Sequence, residues 1–294
     1  MAWLVPGELA AVSTPTRVGN PLLRLRHGRH SERLATIAIP LILTSMPVQS
    51  PQFTVTLCAL VVVLAAVQSV FGVGLLVFGT PTLLLLGVPF EDVLAYLLPC
   101  SITVSTLQIA TSGGLTLTPI RRKFLFLTAP AVLVGTLLVL GLGKGADLKP
   151  FVGAMLLVTA AVRVVGPVRV VVNQFIERRL GFFALALGLL HGLTNLGGGV
   201  LTSIVSAVHQ DKSDVRRHIA FCYGMMAMIQ LTTLLITTPV QVQPLLWVTL
   251  PVLAISSFTI VGRVLFRLAG QTAYQNLLTA LIACFGMLLL FPPA

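Results

Sequence analysis

Apolar residues in this chain run continuously, without strand-like alternation and without a single helical stripe, and short clusters of Pro, Gly or charge punctuate the runs. Ten apolar segments follow from this pattern, at about 53–71, 73–88, 92–112, 124–142, 148–166, 181–195, 197–209, 216–237, 244–265 and 272–291. Most are long enough to cross a bilayer as helices, which takes about 20 residues. Two of them, 73–88 and 197–209, are short, and they follow the glycine-rich turns Gly72-Val73-Gly74 and Gly197-Gly198-Gly199. Each short segment is either a crossing with an extended glycine end or a re-entrant hairpin. A further apolar stretch, 34–48, is interrupted by Pro40 and Pro47. It reads as a signal-like or interfacial segment, as a crossing, or as sequence upstream of a start at Met46.

Composition agrees with a membrane protein and excludes a soluble domain. Only 9% of residues are charged and 56% are apolar, and 57 consecutive residues between Arg33 and Glu91 carry no Asp, Glu, Lys or Arg. The net charge of +11 divides into +3 on the arginine-bearing tail through Met46 and +8 on the body, almost entirely in loops. It therefore reads as topology control at a membrane surface, with no nucleic acid implied. Cys58, Cys100, Cys222 and Cys284 all lie in apolar runs, without metal-site or disulfide spacing, and read as packing residues.

The chain repeats itself. A shift of 123 places Gly72-Val73-Gly74 on Asn195-Leu196-Gly197 and Gln68 on His191. A shift of 122 places Cys100 on Cys222 and Gln108 on Gln230, and one of 121 places Pro130 on Pro251. Four regions follow: 1–52, a basic tail and apolar pre-segment outside the folded body; 53–166, a first repeat of five segments; 167–180, a basic cytoplasmic linker; and 181–291, a second repeat of five segments. Loop charge reverses between the halves. Glu91 and Asp92 in the first correspond to a loop with Lys212, Arg216 and Arg217 in the second, and Arg121-Arg122-Lys123 to the uncharged 237–241. Basic loops inside and an odd number of crossings per half invert the second repeat relative to the first, an architecture of secondary transporters. Ten crossings would carry the basic tail outside; an eleventh at 34–50, or the Met46 start, removes that conflict. The predicted fold is an all-α polytopic integral membrane protein of two inverted-topology repeats, with about 8–10 transmembrane segments and broken or short helices after the glycine motifs.

A broken helix in a membrane frees backbone N–H groups and turns a partly positive helix N-terminus toward a ligand, which suits an anion. Gly72, Gly74, Gly197, Gly198 and Gly199 are the candidate breaks. The competing reading is that these glycines only allow close helix packing. Polar residues repeated inside the apolar runs, Gln68 with His191 and Gln108 with Gln230, together with Asn195, are the candidate side chains. His191 could equally serve as a helix-to-helix hydrogen-bonding residue. All eight acids lie in the tail or at segment ends, which argues against cation coupling through an intramembrane carboxylate. Arg163 and Arg263, near segment ends, are expected to snorkel.

The residues that carry a family pattern are Asn195-Leu196-Gly197-Gly198-Gly199 after Leu185 to Gly192, and its first copy Phe71-Gly72-Val73-Gly74 through Gly79-Thr80-Pro81, which keeps two glycines and the proline but not the triple glycine. The connector Leu86-Gly87-Val88-Pro89 and the closing Phe285-Gly286-Met287-Leu288 belong to the same pattern. From about 53 to 291 the chain resembles the sulfite exporter TauE/SafE family of membrane permeases. The resemblance implies a transporter of small, often sulfur-containing anions such as sulfite, sulfonates or related organic acids, resident in the cell membrane. No cofactor and no metal follow from the sequence, and homo-oligomerisation is left open. The alternatives are a membrane scaffold or assembly factor without a substrate, and an intramembrane enzyme. No paired carboxylates, His/Glu metal cluster or nucleophile with an adjacent base supports the enzyme.

Overall fold

The computed structural model describes residues 50–113, 119–143, 146–165, 179–208, 212–240, 243–268 and 271–291. The tail, the stretch 34–48 and the linker as far as residue 178 lie outside them. All described residues fall in one compact unit, Pro40–Ala294. Among them there are helices and no strands.

The first half contributes α1 (Pro51–Phe71), α2 (Leu75–Leu85), α3 (Phe90–Thr111), α4 (Pro119–Gly141) and α5 (Lys149–Val164). The second contributes α6 (Leu180–Thr194), α7 (Gly197–Val208), α8 (Lys212–Thr237), α9 (Pro244–Ser257), a π turn at Phe258–Gly262, α10 (Arg263–Leu268) and α11 (Gln271–Leu290). Their ends follow local chemistry. Ser50 Oγ accepts the Phe53 N–H at 3.1 Å and Pro51 opens α1, where its missing donor costs nothing. At the other end Gly72, at φ +76°, turns the chain left-handed and stops the helix.

Helix bounds agree with the apolar runs to within a few residues, except that 244–265 is one run in the sequence and three pieces in space. The π turn has a tertiary cause. Ser257 Oγ donates to Val62 O on α1 at 2.5 Å, and Gly262 lies against the Ser69 side chain, also on α1. These two positions are five residues apart, one π turn, so the wider turn keeps both on the face toward α1.

Five helices, Pro51–Phe71, Phe90–Thr111, Phe124–Gly141, Ser213–Thr237 and Pro244–Gly262, are long and apolar enough to span a bilayer, with shorter apolar helices at Leu75–Leu85, Gly181–Thr194 and Thr279–Leu290. At about 1.5 Å per residue, α2 reaches roughly half of the hydrocarbon core. Large apolar side chains face outward, Val55, Phe126, Ile236, Leu245 and Ile260 being 69–78% exposed. A surface of this kind is stable only against lipid. The chain is an integral, multi-pass membrane protein.

α3 and α8 pack against each other at the centre, and α5 packs against α11. Six further contacts come in pairs with the halves exchanged: α4 on α6 and α9 on α1, α8 on α4 and α3 on α9, α2 on α3 and α7 on α8. At the α4–α6 contact backbone meets backbone. Gly188 and Gly192 lie one turn apart on α6, and a Cβ at Gly188 would stand 2.6 Å from Thr128 O. One at Gly192 would meet Val132 O and lie 2.8 Å from Thr136 N and 2.9 Å from Gly135 Cα. Small residues four apart let the two backbones touch, which in a membrane supplies much of the packing energy. Arg163, in the last turn of α5, is half-buried, and its Nε donates to Thr279 Oγ1 of α11 at 3.0 Å. The Arg263 side chain lies outside the described set.

Candidate functional site

Both glycine motifs are helix breaks. At the first, α1 ends where Gly72 N–H donates to Gln68 O at 2.8 Å, and the chain turns through Val73 and Gly74 into α2. A Cβ at Gly74 would stand 2.6 Å from Gln68 N and 3.0 Å from Leu64 O, both backbone atoms that cannot give way, so the return against α1 requires glycine. Gln68 is fully buried and fully engaged. Its Oε1 accepts the Leu75 N–H at 3.1 Å and so caps α2, while its Nε2 lies 3.3 Å from Ser101 O, Ser101 Oγ and Ser105 Oγ of α3. Gln108 Nε2 donates to Gln68 O at 2.7 Å.

The second break is built on the same plan. Asn195, the one non-glycine residue with positive φ among the described residues, at +63°, ends α6 as Gly72 ends α1. Its N–H donates to His191 O at 2.7 Å. Gln230 Nε2 donates to the same carbonyl at 3.1 Å and lies 3.4 Å from Gly192 O. The positions that align in the sequence, Gln68 with His191, Gly72 with Asn195 and Gln108 with Gln230, thus make corresponding bonds.

The two breaks touch. Asn195 Nδ2 donates to Thr80 Oγ1 of α2 at 2.9 Å. A Cβ at Gly198 would stand 2.9 Å from Val73 Cγ1, in the first break, and 2.6 Å from Tyr223 Cε2 on α8. Gly197 lies against the His191 side chain and Gly199 against Thr159 of α5. All ten candidate residues therefore gather in two joined clusters, Gln68, Gly72, Gly74 and Gln108 at one break and His191, Asn195, Gly197, Gly198, Gly199 and Gln230 at the other.

The clusters differ in how well their polar atoms are satisfied. Where Gln68 is engaged at both ends, His191 has no hydrogen-bond partner on Nδ1 or Nε2, although it is fully buried with the Gln230 side chain beside it. Its ring meets the edge of Tyr223 with centroids 5.7 Å apart. The Tyr223 hydroxyl faces the backbone amides of Leu76 and Val77, at the start of α2, without closing a hydrogen bond. Asn195 Oδ1, Gln230 Oε1 and, at the first break, Gln108 Oε1 are buried and unpartnered as well. Buried polar groups are nearly always paired, so a concentration of unpaired ones marks a place that something else completes. Among the described residues no three His, Cys, Asp or Glu side chains stand close enough together to hold a metal ion.

Two residues at this centre carry no mark in the sequence reading. Tyr223 joins the breaks, and Arg216, read there as a loop charge, is 8% exposed. The Arg216 guanidinium lies 3.3 Å from Ser69 O and 3.1 Å from Ser112 Oγ, with its carbon 3.7 Å over the centre of the Phe266 ring. It is thereby held by α1, α3 and α10 beside the first break, with the stacking and fork geometry that suit arginine. Arg217 behaves as a surface charge in contrast, bonded to Ser112 O at 3.2 Å and paired with Asp214. A periodic signal was present: Arg216, Ile219, Tyr223 and Gln230 fall on one stripe of α8 at spacings of three, four and seven, and all four are buried.

No curated protein and no solved structure matches this chain. The family model described as sulfite exporter TauE/SafE matches residues 56–289, from within α1 to within α11 and across both breaks, and the chain belongs to that family.

Proposed function

We propose that the protein is a secondary permease of the cell membrane that moves a small, sulfur-containing oxyanion, binding it at the second break and exposing it to either side in turn. The observation that carries this reading is the set of buried polar atoms without a hydrogen-bond partner, both ring nitrogens of His191, the Tyr223 hydroxyl, Asn195 Oδ1 and Gln230 Oε1, where two helix breaks meet in a chain that belongs to a permease family. The start of α7 adds the Gly197 and Gly198 N–H groups, Gly199 N–H already donating to Leu196 O at 3.3 Å, and Arg216 adds positive potential beside the first break.

Alternating exposure follows from the repeats. Regions 53–166 and 181–291, as repeats of inverted topology, supply two equivalent arrangements, one open to each side of the membrane. The exchanged helix pairings and the matching bonds of Gln108 and Gln230 support a pseudo-two-fold relation of this kind.

Proteoliposomes containing the purified chain are expected to accumulate radiolabelled sulfite or a simple sulfonate at least about tenfold above empty vesicles, and a carboxylate of equal size less well. Equal, background-level accumulation of all three would favour a scaffold without a substrate.

A further inference from the structure

We infer that His191 takes up a proton together with the anion bound at the second break, so that the protein carries the two as a pair, one proton with each singly charged anion. This rests on the transport reading above and adds a coupling ion to it.

The imidazole and the start of α7 share one spot. A Cβ at Gly197 would stand 2.9 Å from His191 Nδ1, and one at Gly198 would stand 3.1 Å from Tyr223 Cζ. An oxyanion held by the Gly197 and Gly198 N–H groups therefore lies against the imidazole ring. His191 is fully buried, and neither ring nitrogen has a hydrogen-bond partner. A side chain that only ties helices together shows its bond, as Gln230 does to His191 O and Gly192 O. With its Nε2 on those carbonyls, Gln230 leaves Oε1 as a buried acceptor beside the ring. An imidazolium donates from both nitrogens, one to that oxygen and the other to the anion.

Charge makes the two arrive together. A bare anion here is a buried charge with no counter-charge in contact, and an imidazolium alone is the same with the sign reversed. Side by side, each offsets much of the other's desolvation cost. The helices packed against α6 are α4, α7 and α8. α7 carries no titratable residue, and α6 carries none besides His191. α4 has Arg121, Arg122 and Lys123 within its first five residues, at least about 13 Å along the helix before Val132, where α6 lies on it. α8 brings Tyr223 in ring contact, Cys222 next to it in sequence, and Lys212, Asp214, Arg216, Arg217 and His218 at least five residues earlier. Arg216 stands about 10 Å along α8 from Tyr223 and is engaged with Ser69, Ser112 and Phe266 at the first break. A phenol and a thiol ordinarily titrate above neutral pH. His191 is then the group at the second break, among the described residues, that changes charge near pH 7.

Methanesulfonate keeps its single negative charge at every pH used, so any proton bound with it is bound by the protein. Its affinity for the purified full-length chain should fall at least about tenfold from pH 6 to pH 8, because binding that takes up a proton weakens as protons become scarce. In proteoliposomes with a pH-sensitive dye inside, its inward movement should acidify the lumen by about one proton per anion, the ratio that a single imidazole sets. His191→Gln keeps a polar side chain and cannot take up a proton. Its affinity should change less than about twofold over the same range, and its uptake should move no protons. If that variant does not elute as folded protein, the wild-type affinity series decides alone. A wild-type affinity that changes less than the stated factor, or a pH dependence that persists in folded His191→Gln, overturns the inference and leaves His191 without a part in coupling. If methanesulfonate does not bind, the inference also falls, and sulfite uptake by the same vesicles decides whether the transport reading falls with it.

Discussion

Gly198→Val is expected to lower uptake about a hundredfold, the scale of loss that a displacement of about 1 Å at a positioned site produces, while the protein still inserts and elutes as a single folded species. A Cβ at this position would already stand 2.6 Å from Tyr223 Cε2 and 2.9 Å from Val73 Cγ1. Both obstacles are side-chain atoms, so the fold can yield by tipping the Tyr223 ring and turning the Val73 side chain. That movement takes the Tyr223 hydroxyl away from the start of α2 and the ring away from His191, and it separates the two breaks. Gly198→Ala should give a smaller loss in the same sense. Undiminished uptake by Gly198→Val would remove Tyr223 and the contact between breaks from the transport pathway.

Gly192→Val should fail differently, through the fold. Its neighbours are the Val132 carbonyl, the Thr136 nitrogen and the Gly135 Cα, all backbone of α4, and none can rotate aside. The helices must part along the contact through Gly188, which loses dispersion contacts that lipid does not fully replace. A cost of about 3 kcal/mol is expected, at the upper end of ordinary overpacking. In detergent this should appear as a melting temperature well below that of Gly198→Val, with loss of monodisperse protein. A Gly192→Val protein that melts with wild type would show that α4 and α6 approach less closely than described.

These two glycines show what the sequence makes legible. Both stand in the glycine-bearing pattern that marks the break, and the apolar runs place α6 and α7 on either side of it almost to the residue, because hydropathy sets how long a helix can stay in a bilayer and the glycines set where it breaks. The pairing of Gln68 with His191 and of Gln108 with Gln230 was legible too, since each repeats at a shift of 122 or 123. Which glycine meets a backbone and which a side chain was not, because that depends on a partner helix far away in the chain. The same holds for the π turn at Phe258–Gly262, set by contacts of Ser257 and Gly262 with α1.

Arg216 and Tyr223 were obscured for separate reasons. A charge one turn into a helix has the same sequence signature whether it points to water or folds back over an aromatic ring, and only the Phe266 contact distinguishes the two. Tyr223 sits in an apolar run where a tyrosine passes for packing, until its hydroxyl is found buried beside the start of α2. The inequality of the breaks was equally hidden: identical backbone bonds at Gln68 and His191 conceal that one side chain caps a helix and the other is left unpaired. An anion site shared evenly between the breaks thus gives way, in the reading proposed here, to one weighted toward the second.

Equilibrium binding of radiolabelled sulfite to the purified protein, wild type beside His191→Phe, tests that weighting most directly. Phenylalanine retains an aromatic ring against Tyr223 and removes both ring nitrogens, leaving the Gln230 bond to the residue 191 backbone carbonyl available. Saturable binding by wild type, weakened at least about tenfold in a His191→Phe protein of unchanged melting temperature, is the predicted result, as expected when a buried polar partner is lost. Binding of equal strength in the two proteins would contradict a site at the second break.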